Sequence, residues 1–210
     1  YLFVWTALNG PSKRWGLSRP ELADVISATH LCALARPLYR TIELRYLLDS
    51  AGLSHALPTT KQLWNLAKPR NGAAAPQAVT AERLYETTHL VFYLTDFGGE
   101  TCGVLTRVDW ERLLRDIRLG LESAIAWQHF DLVAELGFAG WCLQPQPSTC
   151  ALTAARYLAL AQDPDGGFRS VLTRATPGSV RFLGCYHPVM MTTLLCFAVR
   201  WEGRANRSRA

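Results

Sequence analysis

The sequence predicts an all-α protein arranged in two layers of helices, and two observations carry that expectation. Apolar residues recur at helical spacing along most of the chain, and strand-like alternation is almost absent. Segments apolar nearly all round alternate with segments apolar on one side only, which is what an inner and an outer layer require. The 210 residues are 49% hydrophobic and 19% charged. That is enough for a sizeable core and too apolar for a disordered chain.

In chain order, a buried helix is expected over 21–36, started by Pro20 and Glu21. An amphipathic helix follows over 39–53, with Ile42, Leu47 and Leu48 against Arg40, Glu43, Arg45 and Asp49. A short helix is expected over 58–68. The connection over 69–80, with Gly72, Pro76 and three alanines, reads as a flexible linker within one domain spanning 1–210. A buried helix over 81–97 leads to an amphipathic one over 110–125. There Trp110, Leu113, Leu114, Ile117, Leu121 and Ala124 form one stripe, and Asp109 stands at the N-cap position. The remaining helices are expected over 130–143 (buried), 150–162 (amphipathic) and 186–201 (buried), with Pro188 as the first helical residue of the last. The arginine-rich end, 203–210, reads as a disordered tail.

Composition narrows the function classes. The net charge is +5, and only Lys13, Lys61 and Lys68 of the 22 basic residues are lysines. A charge so mild and scattered points away from nucleic acid. The longest apolar run, 188–199, falls short of the roughly 20 residues a membrane span needs. Six cysteines without a CxxC pair, and no basic stretch leading into an apolar one at the start, predict reduced thiols and a cytoplasmic protein. There is no glycine-rich phosphate loop and no Gly-x-Ser-x-Gly elbow, so no nucleotide cofactor is expected.

The segment YLALAQDPDGGF, with Gln162, Gly166, Gly167 and Phe168, resembles the QW repeat of the squalene-cyclase and prenyltransferase β-subunit superfamily. The resemblance covers one copy, with Phe in place of the usual Trp. It implies an α/α-toroid-like arrangement of alternating inner and outer helices, here an incomplete ring, with the glutamine bonded to the next helix and the aromatic stacked on it. The terpene-cyclase acid motifs are missing. Cys142, Cys185 and His187 resemble the zinc ligands of lanthipeptide cyclases, although Tyr186 separates the Cys from the His and the following glycines are absent. The ATHLCAL, YETTHLVFYLTDFGG and CYHPVMMTTLLC segments resemble an actinobacterial family of helical proteins associated with natural-product pathways. That likeness implies a tailoring enzyme and brings no established reaction.

The candidate site rests on histidines within apolar helices. His30 and His89 share a Thr-His-Leu context, and His187 precedes Pro188. Facing one lumen, His30, His89 and His187 could hold one divalent metal (zinc, iron or manganese) or shuttle protons. Each could equally be a core histidine satisfied by a neighbouring hydroxyl. Glu86, Tyr93 and Asp96 lie at helical spacing from His89 and join it as catalytic candidates. Glu86-x-x-His89 matches half of a di-iron motif, without the second pair such sites need. Trp64, Tyr85, Phe92, Tyr93, Phe138, Trp141, Tyr186 and Trp201 are candidate lining for an apolar ligand. The expected function is a secondary-metabolite tailoring enzyme acting on an apolar or peptide-derived intermediate, by cyclisation or rearrangement. The alternative is a non-catalytic helical scaffold for a carrier protein or apolar ligand. A homodimer is compatible with either.

Overall fold

The computed structural model describes residues 36–68, 79–99, 103–144, 148–168 and 178–207, with the side chains of the last helix described over 186–200. Among the described residues there are seven α-helices, one 3₁₀ turn and no strand. None of these helices is long and apolar enough to cross a membrane. The helix expected over 21–36, and His30 with it, lies outside the described residues. So does 69–78, most of the expected linker. The chain divides into two compact units, Tyr1–Ala73 and Ala74–Ala210.

In the first unit, α1 (Leu38–Ser50) and α2 (Thr60–Ala67) pack together. Helix α1 buries Ile42, Leu47 and Leu48, the expected stripe. Gly52, at a φ of 63°, takes the left-handed conformation that ends it. Arg45 then holds the connection to α2, donating to the carbonyls of Leu57 at 3.0 Å and Pro58 at 2.9 Å. Thr59 and Gln62 form a reciprocal capping box that starts α2.

The second unit holds α3 (Ala81–Leu94), the 3₁₀ turn Asp96–Gly98, α4 (Arg107–Ala126), α5 (Phe130–Leu143), α6 (Thr149–Ala161) and α7 (Gly178–Arg207). Helix α5 packs against α3, α4, α6, α7 and the 3₁₀ turn. Its residues from Leu132 to Gly140 are all buried, as its apolar sequence requires. Small residues let neighbours approach closely. A Cβ on Gly137 would sit 2.4 Å from Ala154 Cβ on α6, and one on Gly140 would sit 2.4 Å from Cys150 Cβ.

Four expectations change. Asp109 does not cap α4; the helix begins a turn earlier, with Thr106 as cap and Asp109 closing the box from the third helical position. Pro188 does not start α7 but lies inside it. Its fixed φ suits a helix, and one backbone hydrogen bond is forgone there. Nor is α7 buried all round. Met191, Leu195 and Ala198 face inward, while Tyr186, Val189, Met190, Leu194 and Phe197 are exposed. The apolar α3 is also one-sided, burying Leu84, Thr88, Val91, Phe92 and Leu94 and exposing Glu86.

The QW-like segment forms a local turn. Gln162 Nε2 donates to the carbonyl of Gly166 at 2.8 Å, within its own loop rather than to the next helix. Phe168 is buried against the ring of Phe130, with centroids 5.5 Å apart. Gly166, at a φ of 83°, makes the reversal.

Gly137→Ala tests the central packing. The added methyl has to displace Ala154 or Leu195, so we expect a loss of about 2 kcal/mol in stability by urea denaturation. An exposed alanine substitution at Glu122 on α4 should change it by less than about 0.5 kcal/mol.

Candidate functional site

Helix α5 carries two acidic residues in its first half, Asp131 and Glu135. Four residues apart, they lie on one helical face. Asp131 is in the first turn, where the helix dipole favours negative charge, and His129 caps that turn by accepting from the backbone N–H of Leu132 at 3.5 Å. Glu135 lies one turn deeper, and its side chain is only 1% exposed. A carboxylate taken so far from water is costly unless its oxygens find partners.

The partners come from two other helices. On α3, the Thr88 hydroxyl donates to Glu135 Oε2 at 2.5 Å, and the Tyr85 hydroxyl donates to Asp131 Oδ2 at 2.5 Å. On α7, His187 lies between the two carboxylates. Its Nδ1 donates to Asp131 Oδ1 at 2.6 Å, and its Nε2 is 3.8 Å from Glu135 Oε1. His89 stands on the α3 side, with Nδ1 donating to the carbonyl of Tyr85 at 2.7 Å and lying 3.9 Å from Glu135 Oε2. Each hydroxyl therefore bonds the second oxygen of a carboxylate, and the first oxygen of each is the one that faces His187.

The electrostatics follow from these contacts. The hydrogen bond to Asp131 raises the His187 pKa above the ordinary histidine value. Burial opposes it, and the charges of Asp131 and Glu135 add to the rise. Burial, then the bond to Asp131, pushes the Tyr85 phenol far above its ordinary value, so it stays protonated as a donor.

An aromatic run leads away from this cluster. His89 lies 6.1 Å from Phe92 and 6.2 Å from Tyr93; Phe92 lies 5.5 Å from Phe138, which stacks on Trp141 at 5.6 Å. Trp141 packs over Gly98, where a Cβ would sit 2.6 Å from its ring. Asp96 and Phe97, beside that glycine, both hold positive φ, 48° and 52°. The turn is thus strained at two non-glycine residues.

Of the sequence candidates, His89 and His187 come together around Glu135, and Tyr93 joins them through its ring contact with His89. Glu86 is exposed on α3, and Asp96 is exposed at the start of the 3₁₀ turn. His30 lies outside the described residues, as does the Cys185 side chain. Cys142 is a free, buried thiol whose pKa burial raises. It lies eleven residues from Asp131 along α5, about 16 Å by helical rise, too far to share an ion with His187. Of the aromatic candidates, Tyr85, Phe92, Tyr93, Phe138 and Trp141 join the cluster. Trp64 is buried on α2, Tyr186 is half exposed, and the Trp201 side chain is not among those described.

Asp131 and Glu135 are the residues that histidine-centred reasoning missed. The available signal was Glu135 itself, the one charged residue inside the apolar run LVAELGFAGWCL.

A family described as a domain of unknown function (DUF6895) matches residues 12–197, most of the chain. No curated protein and no solved structure matches.

Two outcomes test this geometry. The raised His187 pKa means that protonation of His187 favours the folded state. That stability is fully present below the unfolded histidine value of about 6.5 and is lost as pH rises through the raised folded value. Melting temperature should therefore fall from pH 6 upward, with a slope that His187→Asn flattens. Thr88→Val keeps the shape and removes the hydroxyl from Glu135, so it should cost about 1–3 kcal/mol in urea unfolding.

Proposed function

We propose, for a chain that belongs to the DUF6895 family and takes no named activity from it, an enzyme whose reaction centre is the Asp131–His187–Glu135 cluster. It acts in the cytoplasm on a small, largely apolar or peptide-derived intermediate of secondary metabolism. The reaction is a proton-transfer step of the kind that cyclisation or rearrangement requires. One observation carries the reading: Glu135 is buried in an otherwise apolar helix and faces an imidazole that a second carboxylate orients.

The arrangement suits paired acid–base work. His187, held by Asp131 and kept protonated over a wider pH range, is the proton donor. Glu135, desolvated and positioned by Thr88, is the acceptor. Tyr85 fixes Asp131, and His89 donates its Nδ1–H to the carbonyl of Tyr85, which fixes the orientation of its ring beside Glu135. The aromatic run from Phe92 to Trp141 favours an apolar or aromatic substrate. The α/α-toroid arrangement belongs to the same proposal; the largely buried α5 between the one-sided α4 and α6 suits it, whereas α3 and α7 are one-sided as well.

A second reading is a scaffold that docks a partner, and the exposed apolar stripe on α7 from Tyr186 to Phe197 favours it.

The deciding experiment incubates purified protein with a small-molecule extract of the cells that make it, followed by untargeted mass spectrometry. We expect at least one compound to be consumed by the wild type and spared by Glu135→Gln, with the variant folded by circular dichroism. If the wild type changes no compound, or if Glu135→Gln consumes the same ones at the same rate, the enzyme reading is lost.

A further inference from the structure

We propose that Asp131, Glu135 and His187 together bind one divalent cation, zinc in preference to iron(II) or manganese(II). The assignment rests on reading this cluster as the reaction centre; once the ion is bound, His187 and Glu135 serve there as its ligands and no longer as the free proton donor and acceptor. It replaces the three-histidine set as the ligand set.

Three observations carry it. The first is proximity: one donor atom from each of the three residues lies within 4.8 Å of the others. Donors around a zinc ion bound at about 2.0–2.1 Å are about 3.3 Å apart, so closing the set takes side-chain movements of about 1–2 Å. The second is how the carboxylates are held. Tyr85 occupies Asp131 Oδ2 and Thr88 occupies Glu135 Oε2, while Oδ1 meets His187 Nδ1 and Oε1 lies 3.8 Å from Nε2, so a small turn of the ring or of Glu135 brings both oxygens to an ion held by one ring nitrogen. Outer hydroxyls that fix the orientation of ligating carboxylates are the support that metal sites use. The third is rigidity. Asp131 and Glu135 project from one face of the helix at the centre of its unit, so their spacing is set by packing.

Two oxygens and one nitrogen suit zinc, iron(II) or manganese(II), and among these the affinity order favours zinc. Three protein ligands leave a coordination position for water or substrate. The ion takes the place of the proton that His187 now shares with Asp131, and that proton leaves to solvent on binding.

The test is equilibrium dialysis of the intact, metal-stripped chain against zinc chloride with elemental analysis, paired with manganese(II) titration followed by the EPR signal of the free ion. The chain should carry no His-tag. We expect one zinc per chain, and at least a tenfold loss of affinity in Glu135→Gln and in His187→Ala. Asp131→Asn, which keeps the side-chain shape, is the third variant should either of those fail to fold. Glu122→Gln, an exposed change on α4, should bind as the wild type does. No zinc above the level of the folded variants, or equal binding by wild type and all three variants, overturns the site. The two proposals separate cleanly. Turnover that depends on Glu135 without metal uptake removes the cation and keeps the enzyme. Zinc uptake without turnover removes the enzyme and keeps the ion.

Discussion

The second unit depends on one buried carboxylate. Glu135 lies in the middle of an apolar helix that every neighbouring element covers, and its side chain is 1% exposed. An unpartnered charge there would cost several kcal/mol. The hydroxyl of Thr88 and the imidazole of His89 on α3, and the imidazole of His187 on α7, are among the groups that meet it. Because each must reach the same two oxygens, the register of α3 and α7 against α5 is specified more tightly than apolar packing alone would specify it. Asp131, one turn earlier, doubles the constraint by bonding Tyr85 from α3 and His187 from α7.

The same helix sets the packing. Gly137 and Gly140 allow α6 to lie close to α5, and Leu195 of α7 reaches the same glycine face. The polar network thus sits at one end of a tightly packed helix, and the aromatic run from Phe92 through Phe138 to Trp141 extends toward the other. In the function proposed above, the cluster supplies the reactive groups and the aromatic run a surface for an apolar substrate to stack on. The strained turn at Asp96 and Phe97 ends that wall, held by the contact between Gly98 and Trp141.

The candidate site was partly legible. His89 and His187 stand out because imidazoles are uncommon inside apolar helices, and both meet Glu135. Glu86, Tyr93 and Asp96 were selected by helical spacing from His89, which reports a shared face but not whether that face turns inward. Helix α3 turns Thr88, with Leu84 and Val91, to the interior and exposes Glu86. Position 96 already lies in the following 3₁₀ turn. Glu135 carries its own signal, a lone charge in an apolar run. The zinc set with Cys142 fails on distance, since Cys142 and Asp131 lie near opposite ends of α5.

Residue order was enough to give the helical class and the positions of most described helices, because 3.6-residue periodicity and capping chemistry are local properties. Its apolar pattern matches the burial of α5, although the same pattern in α3 and α7 belongs to helices covered on one side only. It could not determine which side of α7 is covered, because an apolar surface looks the same whether or not a neighbour lies against it. It could not place Pro188 inside a helix, since proline is also at home in a first turn. Above all, tertiary structure alone decided that Asp131, Glu135 and His187 meet. Residues 131 and 187 are distant along the chain, and only the packing of α3 and α7 on α5 brings an imidazole between two carboxylates.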